Sequence, residues 1–113
     1  ELVEKLAKPG EYIADELEPW EAHFWHMATG VCTEAGELLD AAKKVVIYRK
    51  PIDRANVVEE LGDIEFYLEG VRQGLNISRK ECLDHNIEKL RKRYHGGKFN
   101  EAHAQERADK HGE

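Results

Sequence analysis

Residues 20–45 read WEAHFWHMATGVCTEAGELLDAAKKV, and apolar side chains recur there every three or four positions. That spacing places side chains on one face of an α-helix. The stretch therefore predicts a long amphipathic helix that starts with Pro19 in its first turn and ends before Pro51. The predicted apolar stripe is Trp20, Phe24, Met27, Val31, Ala35, Leu38, Ala42 and Val45.

Two later segments repeat this spacing. Residues 53–76 predict a second helix with the stripe Val57, Leu61, Ile64, Leu68, Val71 and Leu75. A capping box at Ser78 and Glu81 predicts the start of a third helix, which we expect to end at Gly96 and Gly97. Its stripe is Leu83, Ile87, Leu90 and Tyr94. No segment alternates as a strand does, so the chain is predicted to be an all-α helical bundle.

We expect residues 1–113 to form a single domain. Residues 1–18 predict an N-terminal arm, made of a short helical piece and a loop through Pro9 and Gly10, and residues 99–113 predict a loose tail. The first residue is Glu1 rather than Met, which predicts a trimmed or processed start.

The net charge of the chain indicates which classes of binding partner are disfavoured. The chain has 23 acidic and 17 basic residues, a net charge of −6. This argues against duplex nucleic acid or an anionic membrane surface as the main partner. The longest apolar run covers only residues 45–48, and the sequence predicts no signal peptide. Cytoplasmic localisation is the expectation.

Two pairs of acidic residues flank the predicted stripes. Glu34 and Glu37 lie one turn apart on the first helix, and Glu60 and Asp63 do the same on the second. When the stripes pack together, we expect the four carboxylates to converge at the rim of the core. Unpaired carboxylates repel one another, but Mg²⁺ or Mn²⁺ would compensate their charge. The pairs therefore predict a site for a hard divalent cation.

Two alternative roles for the acidic pairs stay open. Acidic residues spaced by three commonly form a solvated helix face, as in a non-catalytic helical interaction domain. A ferritin-like di-iron protein also holds carboxylates inside a bundle, but that class needs Glu-x-x-His on two helices, and here both pairs end in an acid. A metal titration separates the three possibilities.

A cationic edge follows on the third helix, where Asn86, Lys89 and Arg93 share one side and Tyr94 continues it. In an acidic chain, such an edge beside a metal site suits a polyphosphate bridged by Mg²⁺. The alternative is that Lys and Arg only complement the negative end of the helix dipole.

Aromatic residues crowd ahead of the first acidic pair. His23 and Trp25 are candidates for contact with a nucleobase, by edge pairing and by stacking. Trp20 and Phe24 fit the core stripe better than a binding surface.

These residues carry a resemblance to a known family. The three stretches are GVCTEAGEL at 30–38, EELGDI at 59–64 and NIEKLRKRY at 86–94, followed by Gly97, Lys98 and Phe99. Together they resemble the MazG-type all-α nucleoside triphosphate pyrophosphohydrolases, especially the small single-domain, phage-type members. The likeness covers about residues 20–100.

The resemblance implies Mg²⁺-dependent hydrolysis of a (deoxy)nucleoside triphosphate between the α and β phosphates, giving a monophosphate and pyrophosphate. It implies that Mg²⁺, with Mn²⁺ as a substitute, is bound by Glu34, Glu37, Glu60 and Asp63. The phosphates would be bound by Asn86, Lys89, Arg93, Tyr94 and Tyr67. Phosphoribosyl-ATP hydrolysis is the lesser option within the family.

Two positions depart from the family pattern. Thr33 stands where many members carry another Glu, and His95 stands where proline often follows. The first departure leaves the number of metal ions open. Which of Glu37 and Glu34 takes the proton of the attacking water also stays open.

We further expect a homodimer or a dimer of dimers. Three stripes leave one face of the bundle uncovered, and Val46, Leu39, Tyr48 and Trp25 lie beside or off the first stripe. A twofold-related copy would bury them and complete a four-helix core. The family resemblance implies the same assembly, in the host cytoplasm if the protein is phage-encoded.

Overall fold

The computed structural model describes residues 1–94. Five helices follow one another: α1 (Leu2–Leu6), α2 (Gly10–Glu16), α3 (Pro19–Val46), α4 (Arg54–Leu75) and α5 (Arg79–Arg93). This part of the chain contains no strand, and the all-α prediction is confirmed. Residues 1–76 form one compact unit, and a second unit that contains α5 begins at Ile77. The predicted C-terminal tail, residues 99–113, lies outside the described residues.

The long helix α3 is continuous through Gly30 and Gly36. Pro19 occupies its first turn, as predicted, and Glu18 acts as the cap. The backbone N–H of Glu18 donates to Glu21 Oε1 at 2.7 Å, and the Glu18 carboxylate accepts the backbone N–H of Glu21 in return. This capping box was missed from the sequence, because Glu is not among the usual N-cap residues.

Helix α5 starts as the sequence predicts. Ser78 Oγ accepts the backbone N–H of Glu81 at 3.0 Å, which satisfies a free amide of the first turn. Its end differs from the prediction. Tyr94 adopts an extended backbone conformation, so the helix stops at Arg93, before the two glycines expected to end it.

The N-terminal arm is more helical than expected. Residues 10–16, which the sequence predicts in part as a loop, form α2, and Lys8 pairs with Glu16 across its length at 2.6 Å. Neither α1 nor α2 contains a buried residue. Within residues 1–94, no helix is both long and apolar enough to cross a membrane.

Helices α3 and α4 pack antiparallel and form the framework of the first unit. Two glycines allow a close approach. A Cβ added to Gly30 would overlap the ring of Tyr67, and one added to Gly70 would overlap Sδ of Met27. Residue numbers rise along α3 as they fall along α4, so the two contacts fix the register of the hairpin.

The face of contact between α3 and α4 differs from the predicted one. The residues that are buried there are Met27, Gly30, Ala41 and Glu60. Five members of the predicted α3 and α4 stripes are exposed instead: Trp20, Phe24, Ala35, Ala42 and Leu61. The glycines explain the shift, because helices draw together along the side with the smallest residues. Other members of the stripes, such as Val31, Leu38 and Ile64, are half-buried.

Candidate metal centre

Three carboxylates converge between α3 and α4. Glu34 lies on α3, while Glu60 and Asp63 lie one turn apart on α4. One oxygen from each carboxylate lies within 4.8 Å of the other two. Glu60 is only 9% exposed and Glu34 is half-buried, whereas Asp63 faces solvent. We call these three residues the acidic triad.

The triad has no compensating cation within residues 1–94. None of the ion pairs in this part of the chain involves Glu34, Glu60 or Asp63. Burial raises the pKa of Glu34, the negative charges of Asp63 and Glu37 raise it further, and a hydrogen bond from Glu60 partly offsets the rise. Burial also raises the pKa of Glu60, with added repulsion from Glu34 and Glu37. The site therefore favours bound positive charge.

The chemistry of the triad fits a hard divalent cation. All three donors are carboxylate oxygens, the ligands that Mg²⁺ and Mn²⁺ prefer. The group contains no histidine, which a ferritin-like di-iron site would need on two helices. Glu37, the fourth predicted ligand, lies outside this three-way group and is exposed. Its charge nevertheless acts on both Glu34 and Glu60.

An aromatic cluster borders the triad. Tyr67 lies one turn after Asp63 and packs over Gly30, which lies one turn before Glu34. The Tyr67 ring meets Phe66 edge-on at 5.1 Å between centroids and His26 at 6.3 Å. Packing on both sides orients Tyr67 beside the carboxylates. Gly30 is therefore the residue that sequence reasoning undervalued, since a glycine inside a long helix signals a close contact.

Thr33 points back to its own helix. Its hydroxyl donates to the carbonyl oxygen of Gly30 at 3.0 Å. Many members of the MazG-type family, which the sequence resembles, carry a glutamate at this position. The hydroxyl is satisfied by the backbone, so the residue adds no charged ligand to the triad.

The two residues predicted to contact the base, His23 and Trp25, differ in their surroundings. His23 Nε2 donates to the carbonyl oxygen of Gly70 at 3.1 Å, which links α3 to α4. Trp25 is 70% exposed. The prediction that Trp20 and Phe24 belong to the core is wrong, since both are exposed.

Four of the five predicted phosphate-binding residues lie on or next to α5, and the fifth, Tyr67, lies on α4. Asn86 is exposed, whereas Lys89, Arg93 and Tyr94 are half-buried. The Nε atom of Arg93 is buried and has no hydrogen-bond partner among the described residues. An unpartnered buried guanidinium N–H is costly, and an anion would satisfy it.

Comparison with known proteins finds no match to a family, to a curated protein or to a solved structure. The function must therefore be inferred from the residues and from their geometry.

The raised pKa values of Glu34 and Glu60 predict an unusual dependence of stability on pH. A carboxyl group whose pKa is raised by folding stabilises the fold when protonated, and that contribution is lost as pH rises through the folded pKa. In metal-free buffer, we expect the melting temperature to rise as the pH falls from neutrality toward the ordinary carboxyl pKa. Thermal unfolding followed by circular dichroism measures this.

The control is the Glu60→Gln variant, which cannot ionise at that position. It should melt at a higher temperature than the wild type near pH 8, and its melting temperature should change less with pH. An identical pH profile in the two proteins would contradict the assigned repulsion.

Proposed function

We propose that the chain is a Mg²⁺-dependent pyrophosphohydrolase that cleaves nucleoside triphosphates between the α and β phosphates. One observation carries the proposal: three carboxylates converge within 4.8 Å and have no basic partner in residues 1–94. Such a group is costly in a protein that binds no cation. The choice of reaction comes from the resemblance of the three sequence stretches to the MazG-type enzymes.

Glu34, Glu60 and Asp63 would hold the metal. When bound, Mg²⁺ supplies neutralisation of the triphosphate charge and lowers the pKa of a coordinated water. Among the two candidates for proton acceptor, we favour Glu37. It is exposed and lies outside the three-way group, so its carboxylate is free to contact the attacking water. Tyr67, oriented by its packing on Gly30, would contact a phosphate.

The basic residues of α5 would bind the phosphates. The unpartnered Nε atom of Arg93 supports this role, because an arginine forks onto phosphate oxygens. Lys89 lies one turn before it on the same side of the helix. Asn86 and Tyr94 would add neutral hydrogen bonds at the two ends of this edge.

The direct test of the reaction is a panel of canonical and modified nucleoside triphosphates, with the products separated by chromatography. The proposed reaction yields a monophosphate and pyrophosphate, requires Mg²⁺, and stops in EDTA. A diphosphate with inorganic phosphate would indicate another hydrolase. Binding of Mg²⁺ without cleavage of any triphosphate, phosphoribosyl-ATP included, would favour the non-catalytic interaction domain.

We expect Lys89→Ala and Arg93→Ala each to reduce kcat/KM about 10- to 150-fold, since each removes a charged hydrogen bond. This corresponds to a loss of roughly 1.5–3 kcal/mol in stabilisation of the transition state. Steady-state kinetics at several salt concentrations measures the effect. The wild-type KM should rise with salt, and that of the variants less steeply. Lys92→Ala, an exposed neighbour on α5, is the matched control. If Lys89→Ala and Arg93→Ala both showed wild-type kinetics, the basic edge of α5 would be only a solvated helix end without a role in binding.

A further inference from the structure

A cavity of about 530 Å³ opens where α3 turns into α4. We call it the turn cavity. Its floor is apolar and includes Ala41 and Val57, from the two helices. Three basic side chains and one acidic side chain line it as well: Lys44, Lys50, Arg54 and Asp53. This excess of positive charge stands out in a chain whose net charge is −6.

Among the described residues, two of the three cations have no carboxylate partner. Lys44 pairs with Asp40 at 3.5 Å. Lys50 and Arg54 form no ion pair within residues 1–94. The carboxylate of Asp53 is engaged, because it accepts the backbone N–H of Asn56 at 3.1 Å and caps α4. An anion that enters the cavity would therefore meet two unpaired positive charges.

The turn itself is held in a defined conformation. Arg49 has a φ of 56°, in the left-handed region where glycine is usual. The backbone N–H of Lys50 donates to the carbonyl oxygen of Lys44 at 3.0 Å, which folds the turn back over the end of α3. A left-handed arginine persists only where its surroundings hold it in place. The backbones of Lys44 and Lys50 are thus fixed side by side at the cavity.

The turn cavity adjoins the acidic triad. Ala41 lies two turns beyond Glu34 on α3, and Asn56 lies one turn before Glu60 on α4. One turn of helix is about 5.4 Å along the axis. Lys44, two turns after Glu37, lies on the same side of α3. A phosphate chain that begins at the triad would therefore extend into the cavity.

We propose that the turn cavity binds pyrophosphate, as the terminal phosphates of the substrate and then as the departing product. Its role in turnover rests on the proposed function, but the binding of inorganic pyrophosphate does not. Phosphate oxygens pair with Lys50 and Arg54 by charged hydrogen bonds, which an uncharged nucleobase cannot supply. Lys50 and Arg54 are exposed, so their side chains are accessible to an anion that enters from solvent.

The test is calorimetric titration of inorganic pyrophosphate into the full chain, in metal-free buffer that contains EDTA. The variant is Lys50→Gln with Arg54→Gln, and the control is Arg79→Gln with Lys80→Gln at the start of α5, which removes the same net charge. We expect the affinity to fall at least about tenfold in the turn variant, and less than about twofold in the control.

Three results would overturn the proposal. They are no binding of pyrophosphate by the wild type, an equal loss in both double variants, and a loss confined to Lys89→Gln with Arg93→Gln on α5. A fourth result would also refute the proposal: an uncharged nucleoside binds, its binding depends on Lys50 and Arg54, and the binding of pyrophosphate does not. The cavity would then be assigned to the nucleobase. If pyrophosphate binding depends on these two residues and no triphosphate is hydrolysed, the proposed binding site is supported and the proposed enzyme activity is refuted.

Discussion

Glu60→Gln is expected to lower kcat by at least about 10²-fold while leaving the fold intact. The substitution keeps the size of the side chain and removes one of the three charges that would hold the metal. Glu60 is the most buried member of the triad, with only 9% of its surface exposed. Asp63→Asn should act in the same direction. Single-turnover hydrolysis of the best triphosphate from the panel measures both.

Glu59→Gln is the matched control for this prediction. Glu59 is the preceding residue on α4, it is exposed, and it is not part of the acidic triad. It carries the same charge and differs mainly in the direction of its side chain. We expect less than about a twofold change in kcat, because an exposed charge outside the site is screened by solvent. Equal losses in the two variants would show that overall charge, rather than the triad, governs the rate.

Stability separates a ligand role from a structural one. In metal-free buffer Glu60→Gln should be at least as stable as the wild type, since a repulsive buried charge disappears. Added Mg²⁺ should raise the melting temperature of the wild type by mass action, and that of the variant by less. A metal-free variant that fails to fold would mean that Glu60 supports the hairpin itself, and would contradict the metal assignment.

The candidate site was accessible from the sequence because it depends on local spacing. Glu60 and Asp63 are three residues apart, and any α-helix brings such a pair to one side. The meeting of this pair with Glu34 needed only that two long helices pack antiparallel. Glu37 shows where local spacing stops being sufficient. It shares an edge with Glu34, yet it lies outside the three-way group.

The face of contact between α3 and α4 was not accessible from periodicity. The apolar stripes alone predict contact through Ala35, Ala42 and Leu61, which the structure leaves exposed. The helices instead approach through glycine, which a hydrophobicity pattern treats as neutral. Only the side chain opposite, Tyr67 against Gly30, shows why that glycine is there. The turn cavity is equally hidden, since the left-handed conformation of Arg49 has no signature in its residue type.

The exposed apolar side of the hairpin leads to a prediction about assembly. Within residues 1–94 the buried apolar side chains are only Met27 and Ala41. Large apolar residues on α3 and α4 stay at least 48% exposed, among them Leu39, Val46 and Leu61. A domain of this size depends on burying most of its apolar surface. We therefore expect light scattering at micromolar concentration to give at least twice the 13.0 kDa of the chain.

A charge on that side should break the assembly. Leu39 and Val46 are seven residues apart, so they lie on one side of α3, and a twofold-related copy would pair the two hairpins into a four-helix core. Burying Asp at Val46 without a partner costs several kcal/mol, enough to dissociate a micromolar dimer. Val46→Asp should therefore lower both the mass and the melting temperature. Val3→Asp makes the same change at an exposed valine of α1 and should leave both unaltered. A wild-type chain that is fully active at 13.0 kDa would show instead that one copy completes the site.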